Sequence, residues 1–299
     1  MTLPEEFHAL ARKVNNWGRW GPDDELGTLN LITPEVVRRG ALCVRTGERF
    51  SLALPLGPRG PQTGSVPGRV NPLRTMTHVN TAITPDFAMS DDVVFMALQA
   101  ATHWDALSHV SYDGRIYNGH GAASITPQGA SRCAIDAVRT IAGRGVLLDV
   151  ARAAGVERFE GAVTPDDLDA CGVSVEPGDI VLIRTGQMRV LHEGNRRAYQ
   201  APAPGPGLAA VEWFHAHDVA AVATDTMTFE VFPSEREDAF LPVHLLDLVE
   251  MGMLQGQNFD LEALAYSCAA DGECAFFLEA SPEPFVGGVG APVNPVDIR

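Results

Sequence analysis

Three segments decide the fold: GDIVLIRTG (178–186), GLAAVEWFHAHD (207–218) and VAAVATD (219–225). The first and third are short apolar runs bounded by turn residues, which is typical of strands that are buried on both faces. The middle segment has the length and composition of a helix. Strand, helix and strand in this order predict a βαβ unit, and therefore a partly parallel sheet covered by helices.

The pattern continues just upstream of this unit and changes nearer the start of the chain. GVLLDVA (145–151) is another short apolar run, and PDDLDACG (165–172) is predicted to be a short helix, with proline at its start and glycine after it. The first 120 residues instead contain strand-like runs without long helical periodicity, which favours antiparallel or barrel-like pairing. These runs are SLALPL (51–56), MTHVNTAI (76–83) and VVFMALQAATHWDALSHV (93–110). We therefore predict a mixed α/β fold.

Glycine and proline indicate where the loops are. They are concentrated only at 57–72 and 201–207, and the first of these loops could form a mobile flap over a site. Elsewhere they are spread along the chain, which favours a single domain over residues 1–299.

Composition and charge narrow the possible partners. The chain is 45% hydrophobic and 20% charged, as expected of an ordinary folded protein. Its net charge of −16 and its lack of a Lys/Arg cluster argue against nucleic acid. No apolar signal core opens the sequence and no stretch approaches about 18 apolar residues, so we expect a cytoplasmic protein without a membrane partner. The five cysteines are scattered and are expected to be reduced thiols.

The segment QAATHWDALSHV (99–110) carries the candidate chemistry. His103 and Asp105 are two residues apart, so in a strand both side chains lie on one face and could bind one metal ion. A straight strand would place His109 about 20 Å beyond His103, so the chain must bend at 106–108 if both act at one centre. The alternative is an ordinary half-buried histidine followed by an aspartate that opens a turn.

Two ligands are too few for a catalytic zinc-type ion, which usually takes three from the protein. His244 is the favoured third, because it follows a proline at the start of an apolar helical run, LPVHLLDLVEMGM (241–253). A histidine that caps the helix or lies at the edge of the core is the alternative. Histidines in polar surroundings or at a helix end are expected to be structural or solvated, namely His8, His192, His215 and His217. His78 and His120 are left undecided.

Aromatic and acidic residues supply further candidates. A flat apolar pocket could be lined by Trp104, Trp17, Trp20 and Phe229, although plain core packing is the alternative for each. Asp225 and Glu230 follow a predicted parallel strand, where α/β sheets place ligands, and are predicted to support the site from behind.

The same residues resemble the Putative cyclase family, which includes bacterial kynurenine formamidases and isatin hydrolases. The family hallmark is HxGTHxDxPxH, and the stretch from Gln99 to His109 resembles it at Thr102, His103 and Asp105 as well as at His109. Similar stretches occur over nearly the whole chain: NNWGRWGPDDELGTLNLITPE (15–35), YDGRIYNGHGAAS (112–124), GVLLDVAR (145–152), PGDIVLIRTG (177–186), ATDTMTFEVFP (223–233), LPVHLLDLVEMGMLQGQNFDLEALA (241–265) and GGVGAPVNPV (287–296).

The resemblance implies a swivelling β/β/α fold with a mixed, barrel-like central sheet, assembled as a homodimer or homotetramer. It implies a metal-dependent hydrolase that opens a small amide, such as an aryl amide or a lactam, with Mn²⁺ or Zn²⁺ as cofactor. Carried over by position, His103 and Asp105 become metal ligands, His109 becomes the general acid or base, and His244 becomes a further ligand.

Two departures from the family pattern affect the ligand set. Gln99 stands where the first metal-binding histidine is expected, and Gln257 stands where family members commonly have a metal-binding glutamate. An amide oxygen can coordinate a hard ion, but it binds weakly and adds no negative charge. These changes favour one metal ion over two. Leu107 and Ala101 also replace the proline and glycine of the hallmark.

Two other functions remain open at this stage. The first is ring closure or dehydration of a polyketide-like substrate on the same fold. The second is a binding or scaffold protein that has lost catalysis, for which Gln99 and Gln257 are the only support. Retention of several polar groups in an apolar region argues against the second, because burying such groups is costly without a role.

Overall fold

The computed structural model describes residues 3–299. Its strands are β1 (Arg49–Ser51), β2 (Leu73–Thr84), β3 (Phe87–Phe95), β4 (His103–Asp105), β5 (Ile125–Thr126), β6 (Gly129–Ala130), β7 (Ala142–Asp149), β8 (Ala162–Val163), β9 (Ile180–Arg184), β10 (Gly205–Pro206), β11 (Ala221–Thr224), β12 (Leu254–Gln257), β13 (Ala275–Glu279), β14 (Gly290–Pro292) and β15 (Val296–Ile298).

The α-helices are α1 (Glu5–Val14), α2 (Pro34–Ala41), α3 (Val150–Ala153), α4 (Pro165–Ala170), α5 (Met188–His192), α6 (Arg196–Gln200), α7 (Leu208–Ala216), α8 (Pro242–His244) and α9 (Glu262–Asp271). A π-helix, Leu245–Met251, continues directly from α8. Short 3₁₀ turns lie at Gly27–Leu31, Tyr117–Gly119, Ala122–Ser124 and Ile135–Ala137. No helix within residues 3–299 is both long and apolar enough to cross a membrane.

One mixed sheet forms the centre of the molecule, with the strand order β1-β15-β13-β7-β9-β11-β12-β4-β14. Its four middle strands, β7, β9, β11 and β12, run parallel. The strands on either side pair antiparallel. The sheet curls into a half-barrel, which confirms the predicted mixed, barrel-like architecture.

The predicted βαβ unit is confirmed as β9, α7 and β11, with β9 and β11 paired in parallel. Alternate residues of these strands enter two apolar clusters on opposite faces of the sheet: Ile180 and Leu182 lie in one, Val181 and Ile183 in the other. Because both faces are covered, the strands are continuously apolar rather than alternating. The short helix predicted over 165–172 is α4, which begins at Pro165 after a Thr164 cap.

The early part of the chain pairs antiparallel, as predicted, but in two separate places. β4 lies within the main sheet, whereas β2 and β3 form a hairpin of their own. The segment 57–72 contains no helix or strand, in agreement with the predicted loop. The loop predicted over 201–207 contains the two-residue strand β10.

Candidate metal and catalytic site

The site is built on β4, which has antiparallel neighbours on both sides. Across from His103 lies Gln257 of β12, and across from Asp105 lies Gly290 of β14. Residues that face each other in an antiparallel pair share a face of the sheet. The register therefore brings Gln257 to the side chains of His103 and Asp105, and puts Trp104 on the other face.

The predicted bend after Asp105 is confirmed. The strand ends at that residue, and the His109 amide donates to the Ala106 carbonyl at 2.8 Å, which closes a tight turn. This turn returns His109 to the end of the strand, with its Nδ1 3.7 Å from Asp105 Oδ1. Two histidines six positions apart thereby face one carboxylate.

Asp105 is fully buried, and its Oδ1 atom lies among polar atoms that lack hydrogen-bond partners. His103 Nε2 is 3.4 Å from this oxygen and His109 Nδ1 is 3.7 Å from it. None of these three atoms makes a hydrogen bond with any residue from 3 to 299. Buried polar atoms are normally satisfied, because an unpaired one is costly. The cluster therefore has the composition of a site for a cation.

The outer contacts of the histidines fix which ring nitrogen is available. His103 Nδ1 lies 2.7 Å from the Ala101 carbonyl, and His244 Nδ1 lies 2.6 Å from Glu230 Oε1. Since these oxygens accept hydrogen bonds, each Nδ1 carries the proton and each Nε2 is available to a ligand. A carboxylate behind a histidine is the arrangement typical of metal-binding imidazoles.

Glu230 holds the start of the helix that carries His244. Its two carboxylate oxygens also accept from the backbone amides of His244 at 2.8 Å and Val243 at 3.2 Å. Phe229 is buried and packs edge-on against the His244 ring, with a centroid distance of 6.2 Å. Glu230 thus lies directly behind His244, and Phe229 buttresses that ring from the core.

Gln257 connects the two halves of the site. Its Nε2 donates to Asp105 Oδ2 at 2.6 Å and lies 3.4 Å from His244 Nε2. Gln99 approaches from the other side, next to Gly290. A Cβ at that glycine would lie 2.7 Å from Gln99 Nε2 and 3.4 Å from Asp105 Oδ1, so a larger residue there would displace the amide.

Burial and neighbouring charges set the protonation states of Asp105 and His109. Burial alone would raise the pKa of Asp105, but its interactions with His109 and His103 outweigh this effect, so the pKa of Asp105 lies well below its ordinary value. Burial lowers the pKa of His109; Asp105 opposes this effect, while His244 and Arg69 add to it. The directions of both shifts favour an ionised Asp105 and a neutral His109 at neutral pH.

Several of the sequence candidates lie outside the cluster of His103, Asp105 and His109. Trp104 is fully buried in the core, where its Nε1 donates to the Ala280 carbonyl at 2.8 Å. Asp225 accepts hydrogen bonds from Thr185 and Gly186 at the ends of the parallel strands. Trp20 lies beneath the Arg19 guanidinium. Trp104 and Phe229 are thus packed in the core, and Asp225 joins neighbouring strand ends.

Trp17 lies behind the π-helix. Its indole Nε1 donates to the Val249 carbonyl at 2.7 Å, and its ring packs against Gly119. The side chain is about one-third exposed. The ring therefore contacts the outer side of the segment that follows His244.

Arg69 was not singled out in the sequence, yet its guanidinium lies 3.3 Å from His109 Nε2. It belongs to the 57–72 loop, which Gln62 ties to the site by donating to the Ala100 carbonyl at 3.0 Å. The sequence pointed to this loop only through its glycine and proline content, which suggested a mobile flap over a site. Because a guanidinium only donates, His109 Nε2 accepts in this contact and Nδ1 carries the proton toward Asp105.

The side chains around Asp105 suit a single metal ion. Within residues 3–299, no three side chains of histidine, cysteine, aspartate or glutamate form a complete metal-binding group. His103 Nε2 and Asp105 Oδ1 are nevertheless 3.4 Å apart, the separation given by two bonds of about 2.1 Å at a tetrahedral angle. The donor chemistry fits one divalent cation, which His103 and Asp105 would hold, while His244 Nε2 lies against the Gln257 amide instead.

The fold and the site together define an α/β protein with a buried histidine–carboxylate centre in a curled mixed sheet. The family model described as "Putative cyclase" matches residues 33–231, and the chain belongs to this family. No curated protein matches the chain in sequence.

Solved structures support the same assignment. A structure described as a novel cyclase is 36% identical, covers 97% of this chain and 99% of its own, and superposes with a TM-score of 0.89. Isatin hydrolase A from Ralstonia solanacearum is 21% identical, with coverage of 84% and 91% and a TM-score of 0.63. A predicted metal-dependent hydrolase from Bacillus stearothermophilus is 17% identical, with coverage of 84% and 97% and a TM-score of 0.54. The last two likenesses show the fold.

Proposed function

We propose that the protein is a metal-dependent hydrolase that opens a small amide or cyclic amide. The observation that carries this proposal is the convergence of His103 Nε2, His109 Nδ1 and Asp105 Oδ1, all buried and none hydrogen-bonded within the described residues. Two of the structural relatives are described as an isatin hydrolase and a predicted metal-dependent hydrolase, which supports the same class of reaction.

His103 and Asp105 would hold the cation, with His244 as third ligand once the Gln257 amide turns away from it. A bound Mn²⁺ or Zn²⁺ supplies polarisation of a carbonyl group and a lower pKa for water. The amide oxygens of Gln99 and Gln257 are weaker donors on either side. Because Asp105 is ionised and central, its charge offsets much of the charge of a divalent ion.

His109 would move the proton. Its lowered pKa keeps the ring neutral at neutral pH, and a neutral imidazole accepts a proton as a general base. Asp105 faces its Nδ1, and Arg69 lies against its Nε2, so Nε2 is the atom that exchanges the proton when Arg69 yields its place to substrate. Arg69 would then face the carbonyl oxygen of the substrate, which becomes negative as water adds to the carbonyl carbon.

Turnover of small amides tests this function. The protein, supplied with Mn²⁺ or Zn²⁺, is incubated with a panel of lactams and aryl amides, and products are read by mass spectrometry. Hydrolysis adds one water to the substrate. We expect His109→Ala to lower kcat about 10²- to 10⁴-fold while KM changes little, because the proton transfer is lost and binding is kept.

The exposed His78 of the hairpin provides the matched control, and His78→Ala should retain the parent activity. Loss of one water from a polyketide-like substrate, with no amide opened, would replace hydrolysis by the cyclase or dehydratase alternative. No turnover in either assay, or equal turnover by His109→Ala and the parent, would contradict the proposed function.

A further inference from the structure

The ring of His103 takes its orientation from one backbone carbonyl group. Its Nδ1 donates to the Ala101 carbonyl at 2.7 Å, which leaves Nε2 facing Asp105 Oδ1 at 3.4 Å. Ala101 lies before β4, outside the paired strands. If the peptide group after Ala101 rotated, His103 would lose the acceptor that keeps the proton on Nδ1. The direction of this carbonyl therefore matters to the site.

Asn258 holds the Ala101 carbonyl in place. Its side chain is fully buried, and its Nδ2 donates to this carbonyl at 3.1 Å. A carbonyl oxygen has two lone pairs, so it can accept from Asn258 and His103 together. The backbone of Asn258 lies in the left-handed region, at φ 59°, where its amide donates to the Thr226 carbonyl at 2.9 Å. Its own carbonyl accepts from Thr102 Oγ1 at 2.6 Å, so both sides of the residue are anchored.

Tyr199 of α6 fixes the side-chain amide of Asn258. Because Nδ2 faces the Ala101 carbonyl, which only accepts, Oδ1 points the other way, and the Tyr199 hydroxyl donates to it at 2.8 Å. The hydroxyl also lies 3.3 Å from the Asp225 carbonyl. Burial raises the pKa of Tyr199 well above its ordinary value and Asp225 adds to the rise, so the hydroxyl keeps its proton. Consecutive hydrogen bonds thus run from α6 to the ring of His103.

The helix α6 also holds the 57–72 loop. Gln200, next to Tyr199, donates from its Nε2 to the Pro61 carbonyl at 3.0 Å. Two neighbouring residues of one helix therefore serve different parts of the site. Gln200 contacts the loop, and Tyr199 leads to His103.

We propose that Asn258 and Tyr199 are positioning residues for His103. Through the Ala101 carbonyl they keep the proton on Nδ1 and present Nε2 to the metal ion. This proposal rests on the proposed function, because it takes His103 as a metal ligand. Groups behind a histidine ligand fix its tautomer and the direction of its ring. Here a backbone carbonyl does so, and the two side chains act through it.

The ring nitrogens of His103 test the proposal in the metal-free protein. NMR spectra of protein labelled with nitrogen-15 in histidine give the tautomer of each ring, and the signals that His103→Ala lacks belong to His103. The parent should give a protonated Nδ1 and an unprotonated Nε2. Asn258→Gly should give a mixture of the two tautomers, because the carbonyl loses its anchor while glycine adopts the same φ without strain. Tyr199→Phe should give a smaller change in the same direction.

Calorimetric titration with Zn²⁺ and with Mn²⁺ measures the effect on metal binding. We expect Asn258→Gly to raise the Kd for the ion about 10- to 100-fold, as is typical when a group behind a ligand is lost. Tyr199→Phe lies one hydrogen bond further from the ring and should raise the Kd about 2- to 10-fold. Circular dichroism checks that both variants fold.

Two controls separate the hydrogen bonds from general loosening of the fold. Tyr117→Phe removes another fully buried hydroxyl, which donates to Asp24 at 2.9 Å, and should keep the parent's His103 tautomer and Kd. Gln200→Met removes the contact of α6 with the loop and should keep the His103 tautomer.

An unchanged His103 tautomer or an unchanged Kd in Asn258→Gly would overturn the proposal. An equal change in Tyr117→Phe and Tyr199→Phe, or a change of tautomer in Gln200→Met, would overturn it as well. If Asn258→Gly does not fold, Tyr199→Phe decides between the same outcomes. A parent that binds neither ion would contradict the proposed function instead, and the ring spectra would still decide whether Asn258 and Tyr199 orient His103.

Discussion

At the scale of single residues, the two oxygens of Asp105 have different surroundings. Oδ2 accepts a hydrogen bond from the Gln257 amide, whereas Oδ1 faces the two histidines without a hydrogen bond. Gln257 also lies against His244 Nε2, so its amide fills the space between two potential ligands. A neutral N–H donor in that place removes the need for a second cation there. Oδ2 is therefore occupied by the Gln257 amide, and Oδ1 is the oxygen that is left for a cation.

Gln257→Glu should convert this place into a second metal site. The new carboxylate would lie beside Asp105, and two like charges in a buried space favour binding of a cation. Plasma mass spectrometry after incubation with Mn²⁺ should give about twice the metal content of the parent. Added Mn²⁺ should also raise the Tm of this variant more than that of the parent.

Gln257→Met is the matched control, since it keeps the length of the side chain and offers no oxygen ligand. Its metal content should not exceed that of the parent. Equal metal content and an equal Tm response in the Glu and Met variants would show that the Gln257 amide is not what prevents a second metal ion from binding.

Residue spacing predicted the pair His103 and Asp105, and the need for a bend predicted where His109 would return. Trp104 could not be assigned from spacing, because a large aromatic ring suits a core and a pocket equally well. Arg69 was missed for a different reason. Its contact with His109 joins a loop to a turn 40 residues away, and no local periodicity reports such a contact.

At the scale of elements, a strand of three residues carries the candidate ligands His103 and Asp105, and hydrogen bonds fix the chain that leads into it. Thr102 donates to the Asn258 carbonyl at 2.6 Å and accepts from the Leu54 amide at 2.8 Å. Asn258 in turn donates to the Ala101 carbonyl at 3.1 Å. The sequence predicts a longer run of strand over 93–110, because side-chain type does not reveal where a ladder of hydrogen bonds stops.

The helical run after His244 was predicted from its apolar pattern, but its π-helical form was not. A π-helix differs from an α-helix in backbone hydrogen bonding, which the side chains of 245–251 do not specify. Glu250 of this turn accepts from Tyr112 and Asn15, so contacts with distant segments accompany the unusual form.

Strand β15, which lies between β1 and β13 in the main sheet, contains a carboxyl group that should make the stability of the fold depend on pH. Asp297 is fully buried, and neither oxygen bonds to another residue in the described part of the chain. Burial raises the pKa of Asp297 to about 7, with Glu48 adding to the rise and Arg299 opposing it. The folded state thus binds this proton more tightly than the unfolded state does.

Stability should therefore fall as the pH rises from about 4 to 7, by up to a few kcal/mol from this group. In Asp297→Asn this loss should be absent, because the amide does not ionise. Urea unfolding at a series of pH values measures the difference in stability between the parent and this variant. Asp91→Asn, on the exposed β2–β3 hairpin, is the control. The same slope in parent and variant would exclude Asp297 as the cause.

At the scale of the whole molecule, the sequence predicted the parallel centre of the main sheet but not the separate hairpin of β2 and β3. Strands buried on both faces are apolar throughout and bounded by turns, so their segments stand out. The β2–β3 hairpin has no buried face within the chain. Its strand-like runs gave no indication that it pairs separately from the main sheet. We propose that the described chain forms one domain, since the two largest apolar clusters pack on opposite faces of the same sheet.

The central claim is that a divalent cation binds at Asp105 and His103, and metal content tests it most directly. The parent, a His103→Ala, Asp105→Ala variant and a His78→Ala, Asp91→Ala variant are each incubated with Mn²⁺ and Zn²⁺, dialysed and analysed by plasma mass spectrometry. The last variant is the control, because it removes the same residue types from an exposed pair whose closest atoms are 3.6 Å apart. We predict about one equivalent in the parent and the control and none in the site variant. No metal in the parent, or equal metal in the parent and the site variant, would contradict the account.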